Sequence, residues 1–148
     1  MSHRMKDDVK TSLMRQLVFF DEQTLNFLDE HYPAHSPAGI RDRERARETI
    51  SRYAAYLKQL LSRTDALSDA MDSSVLIGSK VTLHFTSEQI SESYVICFPD
   101  QSDPASGRIS FLSPLGMPLL LATAGQTVRF VTPGGEMEAS VARIEWEG

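Results

Sequence analysis

The apolar residues of this chain change their period once, and that change limits the folds open to it. Upstream of residue 70 the large apolar side chains recur at alternating intervals of three and four; downstream of residue 74 they recur at every second position. Spacings of three and four collect on one face of a helix, whereas a spacing of two collects on one face of a strand. An α+β fold in two modules follows: an antiparallel coiled-coil hairpin at about 6–70 and a β-rich domain at about 75–148. Between them, Ser68-Asp69-Ala70-Met71-Asp72-Ser73-Ser74 loses the heptad and gains small polar residues, which puts the boundary near 70–74.

No Pro or Gly interrupts Lys6 to Glu30, and Leu13, Leu17, Phe20, Thr24 and Phe27 mark one seam. From Ile40 to about Asp69 a second seam runs through Ala46, Ile50, Tyr53, Leu57 and Leu60. Met14, Val18, Leu25 and Leu28 on the first helix, with Ala54 and Leu61 on the second, are expected to widen the two buried stripes. The connection His31 to Gly39 contains Pro33, Pro37 and Gly39, so no helix is expected to pass through it. A first helix of about 23 residues, at a rise of roughly 1.5 Å each, makes the hairpin on the order of 35 Å long.

The second module is punctuated by turns. Val81, Leu83 and Phe85 alternate with Thr82 and His84 in a first strand, and Ser93 to Phe98 forms a second. Arg108 to Leu112, Thr127 to Thr132 and Met137 to Trp146 follow, with Pro99 to Gly107 as a loop. Ser113-Pro114-Leu115-Gly116 and Thr132-Pro133-Gly134-Gly135 carry turn chemistry: proline pre-sets φ, and Gly116, Gly134 and Gly135 are expected to supply positive φ. Residues 115–122 are expected to make about two helical turns on the sheet, ended by Ala124-Gly125. Antiparallel strands with one short helix on one face result.

Composition excludes several classes. Of 148 residues, 41% are hydrophobic and 24% charged, the balance of a folded globular chain. No apolar run approaches the roughly 20 residues that span a bilayer. The acidic Met-Ser-His-Arg-Met-Lys-Asp-Asp start is unlike a signal peptide, so no membrane association and a cytoplasmic location are expected. Cys97, the one cysteine, lies in a strand pattern and is expected to be a small buried hydrophobe. His3, His31, His35 and His84 have no metal-ligand spacing. Residues 1–70 balance 11 basic against 11 acidic side chains, whereas 71–148 hold 4 against 9. The acidic second half suits a basic protein surface better than nucleic-acid phosphate.

Six pieces in order then carry a resemblance. Val75 to Leu83, Ile109-Ser110, Ser113 to Gly116, Leu119-Leu120, Ala124 to Val128 and Thr132 to Glu136 resemble the C-terminal, FKBP-like domain of the Gre transcript-cleavage factors. The GreA/GreB proteins and Rnk-like relatives share this domain. The resemblance implies a bacterial transcription elongation regulator that binds RNA polymerase, with a coiled-coil hairpin directed at the secondary channel. It further implies docking through Ser113, Pro114, Leu115, Gly116 and Met117, where a rigid turn is followed by a methionine expected to be exposed. Arg41, Arg43, Arg45 and Arg47 are the positions for contact with the channel or, indirectly, the transcript RNA 3′ end. The same arginines also suit a solvated, salt-bridged helix face.

Three function classes stay open. In the first, the chain is a non-enzymatic regulator with no cofactor. In the second it stimulates transcript cleavage, with tip acids holding a catalytic magnesium. The acids near the turn are Asp29, Glu30, Asp42 and Glu44. They do not match the family's Asp-Leu-Lys-Glu-Asn type of tip string, and acids in the first turn of a helix also favour its dipole. In the third class the chain is a dimeric scaffold unrelated to polymerase; oligomeric state is not legible. FKBP-like isomerases rim a pocket with aromatics, and Phe85, Tyr94, Phe98, Phe111, Phe130 and Trp146 are the residues available here. Their alternating strand positions are explained by core packing, and a fold does not carry an activity with it.

Overall fold

The computed structural model describes residues 2–63 and 67–148, and its first unit, Met1–Leu67, is built on two long helices. Helix α1 spans Ser2–His31 and α2 spans Pro37–Leu61. With 30 residues, α1 is about 45 Å long at roughly 1.5 Å per residue, longer than the heptad alone suggests. Val9, Leu13, Phe20, Phe27 and Leu28 of α1 are buried with Ala46, Ile50, Tyr53, Leu57 and Leu60 of α2. Each such burial contributes about 1.5–3 kcal/mol for the larger side chains.

Two details of the expected seam change. Gln16, rather than Leu17, occupies the buried position, because its Oε1 accepts a 2.5 Å hydrogen bond from the Tyr53 hydroxyl; Leu17 and Thr24 are half-buried. Met14, Val18 and Leu25 do not widen the buried stripe, since they stand exposed. Only Leu28 is fully covered, while Ala54 and Leu61 are half-buried.

The turn is also shorter than expected. Pro37 and Gly39 belong to the first turn of α2, leaving Tyr32 to Ser36 as the connection. Ser36 caps the helix: its backbone is extended, and its Oγ accepts from the Gly39 amide at 3.0 Å. Proline is well placed directly after such a cap, where its missing N–H is one the helix cannot use. Helix α2 ends at Leu61 instead of near Asp69; Thr64, Asp65 and Ala66 of the expected second helix lie outside the described residues.

A short helix, α3 (Leu67–Ser73), begins on the last residue of the first unit and leads the second, Ser68–Gly148, where only a polar join was expected. Five strands follow: β1 (Ser79–Phe85), β2 (Ile90–Cys97), β3 (Arg108–Ser110), β4 (Thr127–Thr132) and β5 (Gly135–Trp146). They form one sheet in the order β3-β2-β1-β5-β4. The sheet is mixed rather than wholly antiparallel, because β3 pairs parallel to β2, with Ile96 opposite Ile109. The connection 98–107 returns the chain to the level of Val95, so that β3 lies beside the last residues of β2, through 3-10 turns at Pro99–Gln101 and Pro104–Ser106. Central β1 buries Ser79, Val81, Leu83 and Phe85 on one face. Opposite Thr82/Leu83, β5 carries a bulge that skips from Arg143 to Val141.

The expected two-turn helix shrinks to one turn, α4 (Gly116–Leu119). Tertiary pairing stops it. Leu121 donates to the Val75 carbonyl at 2.8 Å, Val75 donates to Ala122 at 2.9 Å, and Ser74 bridges Thr123. Leu121 adopts φ +67 as the backbone turns out of the helix into this pairing. Among the described residues no helix is long and apolar enough to cross a membrane.

Candidate functional site

The expected docking turn begins where β3 ends. Phe111 donates to the Cys97 carbonyl at 2.9 Å, which prolongs the strand by one residue before the chain bends. Ser113 is the hub of the bend. Its Oγ donates to the Ser110 carbonyl at 2.8 Å and accepts from the Gly116 amide at 2.9 Å, and its own carbonyl accepts from Met117. Gly116 is required for space and not, as expected, for positive φ: a Cβ there would lie 2.0 Å from the Ser110 carbonyl oxygen. Gly134 likewise lacks positive φ, which at the second turn falls on Gly135. Phe111 and Leu112 are buried beneath the turn, and Pro114 and Pro118 are exposed on it. Met117 is half-buried rather than exposed, as is Leu115.

Sequence reasoning missed a groove beside this turn. Phe85, Ile90, Tyr94, Pro114, Leu115 and Phe130 help line a space of about 360 Å³, with Glu88 and Glu92 at its edge. Phe85 and Phe130 meet edge to face at 5.9 Å. The Tyr94 hydroxyl donates to Glu92, and burial first, then that carboxylate, pushes its pKa up to about 12. Phe98 and Phe111 stack on each other instead, at 5.5 Å, and Trp146 lies against Gly78, so these three serve packing. Cys97 is buried with its thiol on the Ile109 carbonyl, and burial raises its pKa. A small buried hydrophobe is what the strand pattern implied.

At the hairpin tip some of the charged residues are already engaged. Arg43 reaches back from α2: one guanidinium nitrogen lies 2.9 Å from the Asp29 carboxylate, and another donates to the Tyr32 carbonyl at 3.2 Å. That carbonyl belongs to the residue directly after α1, so the arginine satisfies a backbone acceptor at the helix end as well as pairing a charge. Glu44 is held by Arg47 at 2.5 Å, which depresses the Glu44 carboxyl below its usual range. Tyr32 is pushed above its ordinary pKa by burial and then by the nearby Asp42 charge. Glu30 is exposed. Arg41 and Arg45 are exposed too, and among the described residues neither has an acidic partner within 4 Å. Two of the four tip acids, Asp29 and Glu44, are therefore each held by a separate arginine. Among the described residues no three His, Cys, Asp or Glu side chains stand together as a metal-holding group.

Comparison with known proteins agrees with the order of these elements. Residues 70–146 match the family "Transcription elongation factor, GreA/GreB, C-term". The transcription elongation factor GreA of Chloroflexus aurantiacus is 32% identical over 105 residues, covering 70% of this chain and 67% of that protein. GreA of Desulfovibrio desulfuricans is 32% identical over 109 residues, with the same coverage of each. Among solved structures, Gfh1 of Thermus thermophilus is 22% identical with a TM-score of 0.46, covering 92% of this chain and 94% of that one. A GreA/GreB factor from Nitrosomonas europaea is 23% identical with a TM-score of 0.45, over 50% of this chain and 62% of that one. The matched stretch contains the Ser113 hub, the sheet and the groove, and the chain belongs to the GreA/GreB family of transcription elongation factors.

Proposed function

We propose that this chain regulates transcription elongation by binding RNA polymerase through its C-terminal domain, with the hairpin directed at the secondary channel, and that it does not itself supply a catalytic metal site. The observation that carries this is the docking turn. In the stretch matched by the family, Ser113 ties Ser110, Gly116 and Met117 into one rigid bend that leaves Pro114 and Pro118 outward. A pre-organised turn loses little freedom on binding, which is what an anchoring contact requires. Arg41 and Arg45, exposed on one face of α2, are the arginines assigned to the channel or the RNA 3′ end.

A regulator is favoured over a cleavage stimulator by the state of the tip acids. Asp29 is paired with Arg43 and Glu44 with Arg47, so magnesium held by these two would first have to displace two guanidinium groups, and among the described residues Glu30 and Asp42 join no metal-holding group of three. Such a tip does not fit the ion as it stands, and no step through it is derived.

Two measurements test the proposal. A Pro114→Asp, Pro118→Asp chain with an unchanged circular dichroism spectrum should fail to co-purify with core polymerase, and retention equal to wild type removes the docking assignment. Added to backtracked polymerase with magnesium, the native chain should leave the intrinsic cleavage rate unchanged while competing with a genuine cleavage factor. Cleavage above that rate, lost in an Asp42→Asn, Glu44→Gln chain, would reverse the choice of class.

A further inference from the structure

The groove beside the docking turn has apolar walls and an acidic lip. Phe85, Ile90, Tyr94, Leu115 and Phe130 help line its space of about 360 Å³, near the small end of the roughly 300–1,000 Å³ that ligand sites enclose. Its two carboxylates, Glu88 and Glu92, come from the turn and second strand of the β1–β2 hairpin. That turn is held in one shape. The Gln89 amide donates to the Phe85 carbonyl at 2.8 Å, Gln89 Nε2 donates to the Thr86 carbonyl at 2.8 Å, and Gln89 takes φ +57. The Tyr94 hydroxyl, donating to Glu92, holds the second carboxylate. A lip set in advance lowers the cost of binding.

Charges in this sheet are paired unevenly, and the unevenness selects the occupant. On β5, Glu136 and Glu138 share Arg129 at 3.9 and 2.9 Å, and Glu145 meets Arg143 at 2.5 Å. Among the described residues no Lys or Arg lies within 4 Å of Glu88 or Glu92. The groove lining contributes no cation either. A neutral apolar side chain would leave both carboxylates unanswered, and a bare inorganic cation would leave the walls unfilled. An arginine side chain meets both demands, because its methylenes cover apolar surface while its planar guanidinium stacks on aromatic rings and forks onto carboxylates. The compact ammonium of lysine does neither of the last two. We infer that the groove receives an arginine side chain of the partner protein, its stem against Leu115 and Phe130 and its guanidinium at Glu88 and Glu92. Pro114 and Leu115 belong to the turn as well as to the groove. On the reading that this turn docks RNA polymerase, on which the assignment rests, the arginine belongs to the polymerase.

Two arms of one experiment separate the arginine site from the polymerase reading. In the first, the isotope-labelled full chain is titrated with an acetyl-Gly-Arg-Gly amide peptide and followed by NMR. Resonances of groove residues such as Ile90 and Phe130 should shift with half-saturation on the order of 1–10 mM. The same peptide with citrulline in place of arginine, nearly equal in shape but uncharged, should bind at least about tenfold less tightly, the loss of a charge-assisted hydrogen bond. In the second arm the chain carries Glu88→Gln and Glu92→Gln. The new amide oxygen still accepts from Tyr94, and exposed carboxylates contribute little to folding, so the circular dichroism spectrum should be unchanged. This chain should bind core polymerase about tenfold more weakly than the native one at roughly 0.1 M salt, with an affinity that falls less steeply as salt is raised. Arginine and citrulline peptides that bind alike, or a glutamine chain that binds polymerase as tightly as the native chain, overturn the arginine site while the docking turn stands. A native chain that takes up the arginine peptide but not polymerase keeps the site and removes polymerase as its partner.

Discussion

Replacing Gly116 by Ala should destabilise the second unit more than any change of one methyl ordinarily does. The added Cβ would lie 2.0 Å from the Ser110 carbonyl oxygen, 2.9 Å from Ser113 Oγ and 3.0 Å from the Ser110 carbonyl carbon. Two of those atoms are backbone, and the third is the hydroxyl that holds the turn, so no rotamer change gives relief. The chain must move the 110–116 bend outward. That overpacking costs about 1–3 kcal/mol. Separating Gly116 from Ser113 also loses one or both of the hydroxyl bonds at 2.8 and 2.9 Å, worth about 0.5–1.5 kcal/mol each. A loss of about 2–5 kcal/mol results, a large part of the roughly 5–15 kcal/mol that holds a domain together. For a unit of this size it lowers Tm by about 8–40 °C, at roughly 4–8 °C per kcal/mol. Trp146, the single tryptophan, lies in β5 and reports this unit by fluorescence during urea unfolding. Gly134→Ala is the control, because its Cβ meets nothing closer than Thr132 Oγ1 at 3.8 Å and its φ is not left-handed. It should change stability by less than about 0.5 kcal/mol. If Gly116→Ala costs less than about 1 kcal/mol with an unchanged m-value, the turn is not the rigid element described.

Three further outcomes are expected. Ser36→Ala removes the hydroxyl that accepts from Gly39 and should lower hairpin stability by about 1 kcal/mol in chemical denaturation, whereas Ser36→Asp should keep most of it. Tyr94 is raised from 10.0 to about 12, so its contribution is complete below pH 10 and is lost as pH rises towards 12; stability measured against pH should fall less steeply over that window in Tyr94→Phe. Arg41→Gln combined with Arg45→Gln should shift unfolding by less than about 0.5 kcal/mol yet weaken competition with a cleavage factor on polymerase, and undiminished competition would remove these residues from the channel contact.

Local chemistry was legible where its partner lies nearby in sequence. The seam Ala46-Ile50-Tyr53-Leu57-Leu60 is buried as its heptad implies, and β4 occupies Thr127–Thr132 as expected. Errors cluster where one residue type serves two purposes. Pro37 and Gly39 read as helix breakers, but after the Ser36 cap they begin the helix. Elsewhere the deciding partner is remote. Gln16 enters the seam because Tyr53, 37 residues away, satisfies it. Residues 120–122 leave the helix because Val75 supplies backbone partners. The groove depends on the sheet bringing Phe85, Tyr94 and Phe130 to one side of the turn at Pro114 and Leu115, which alternation along a single strand does not encode.

Arg43 shows how the same sequence pattern separates into different tasks once folded. In the row Arg41, Arg43, Arg45 and Arg47 it is one of four equivalent charges. In the hairpin it is the half-buried member, with a 23% exposed side chain joining Asp29 to the carbonyl of Tyr32 across the turn. The pair alone is worth little at such an exposed carboxylate, but the carbonyl follows the end of α1, and the hydrogen bond to it ties α2 to the turn at the tip. Arg47 is neutralised by Glu44 within its own helix. Among the described residues, Arg41 and Arg45, one turn apart on one face, have no acidic partner within 4 Å, and what remains of the acids is Asp42 beside Tyr32 and exposed Glu30. A metal site needs at least two carboxylates converging without competition from cations, whereas a rod that only occupies a channel needs a stiff end and a few outward charges. At this tip Arg43 and Arg47 hold Asp29 and Glu44, which would have to be released before either could join such a site.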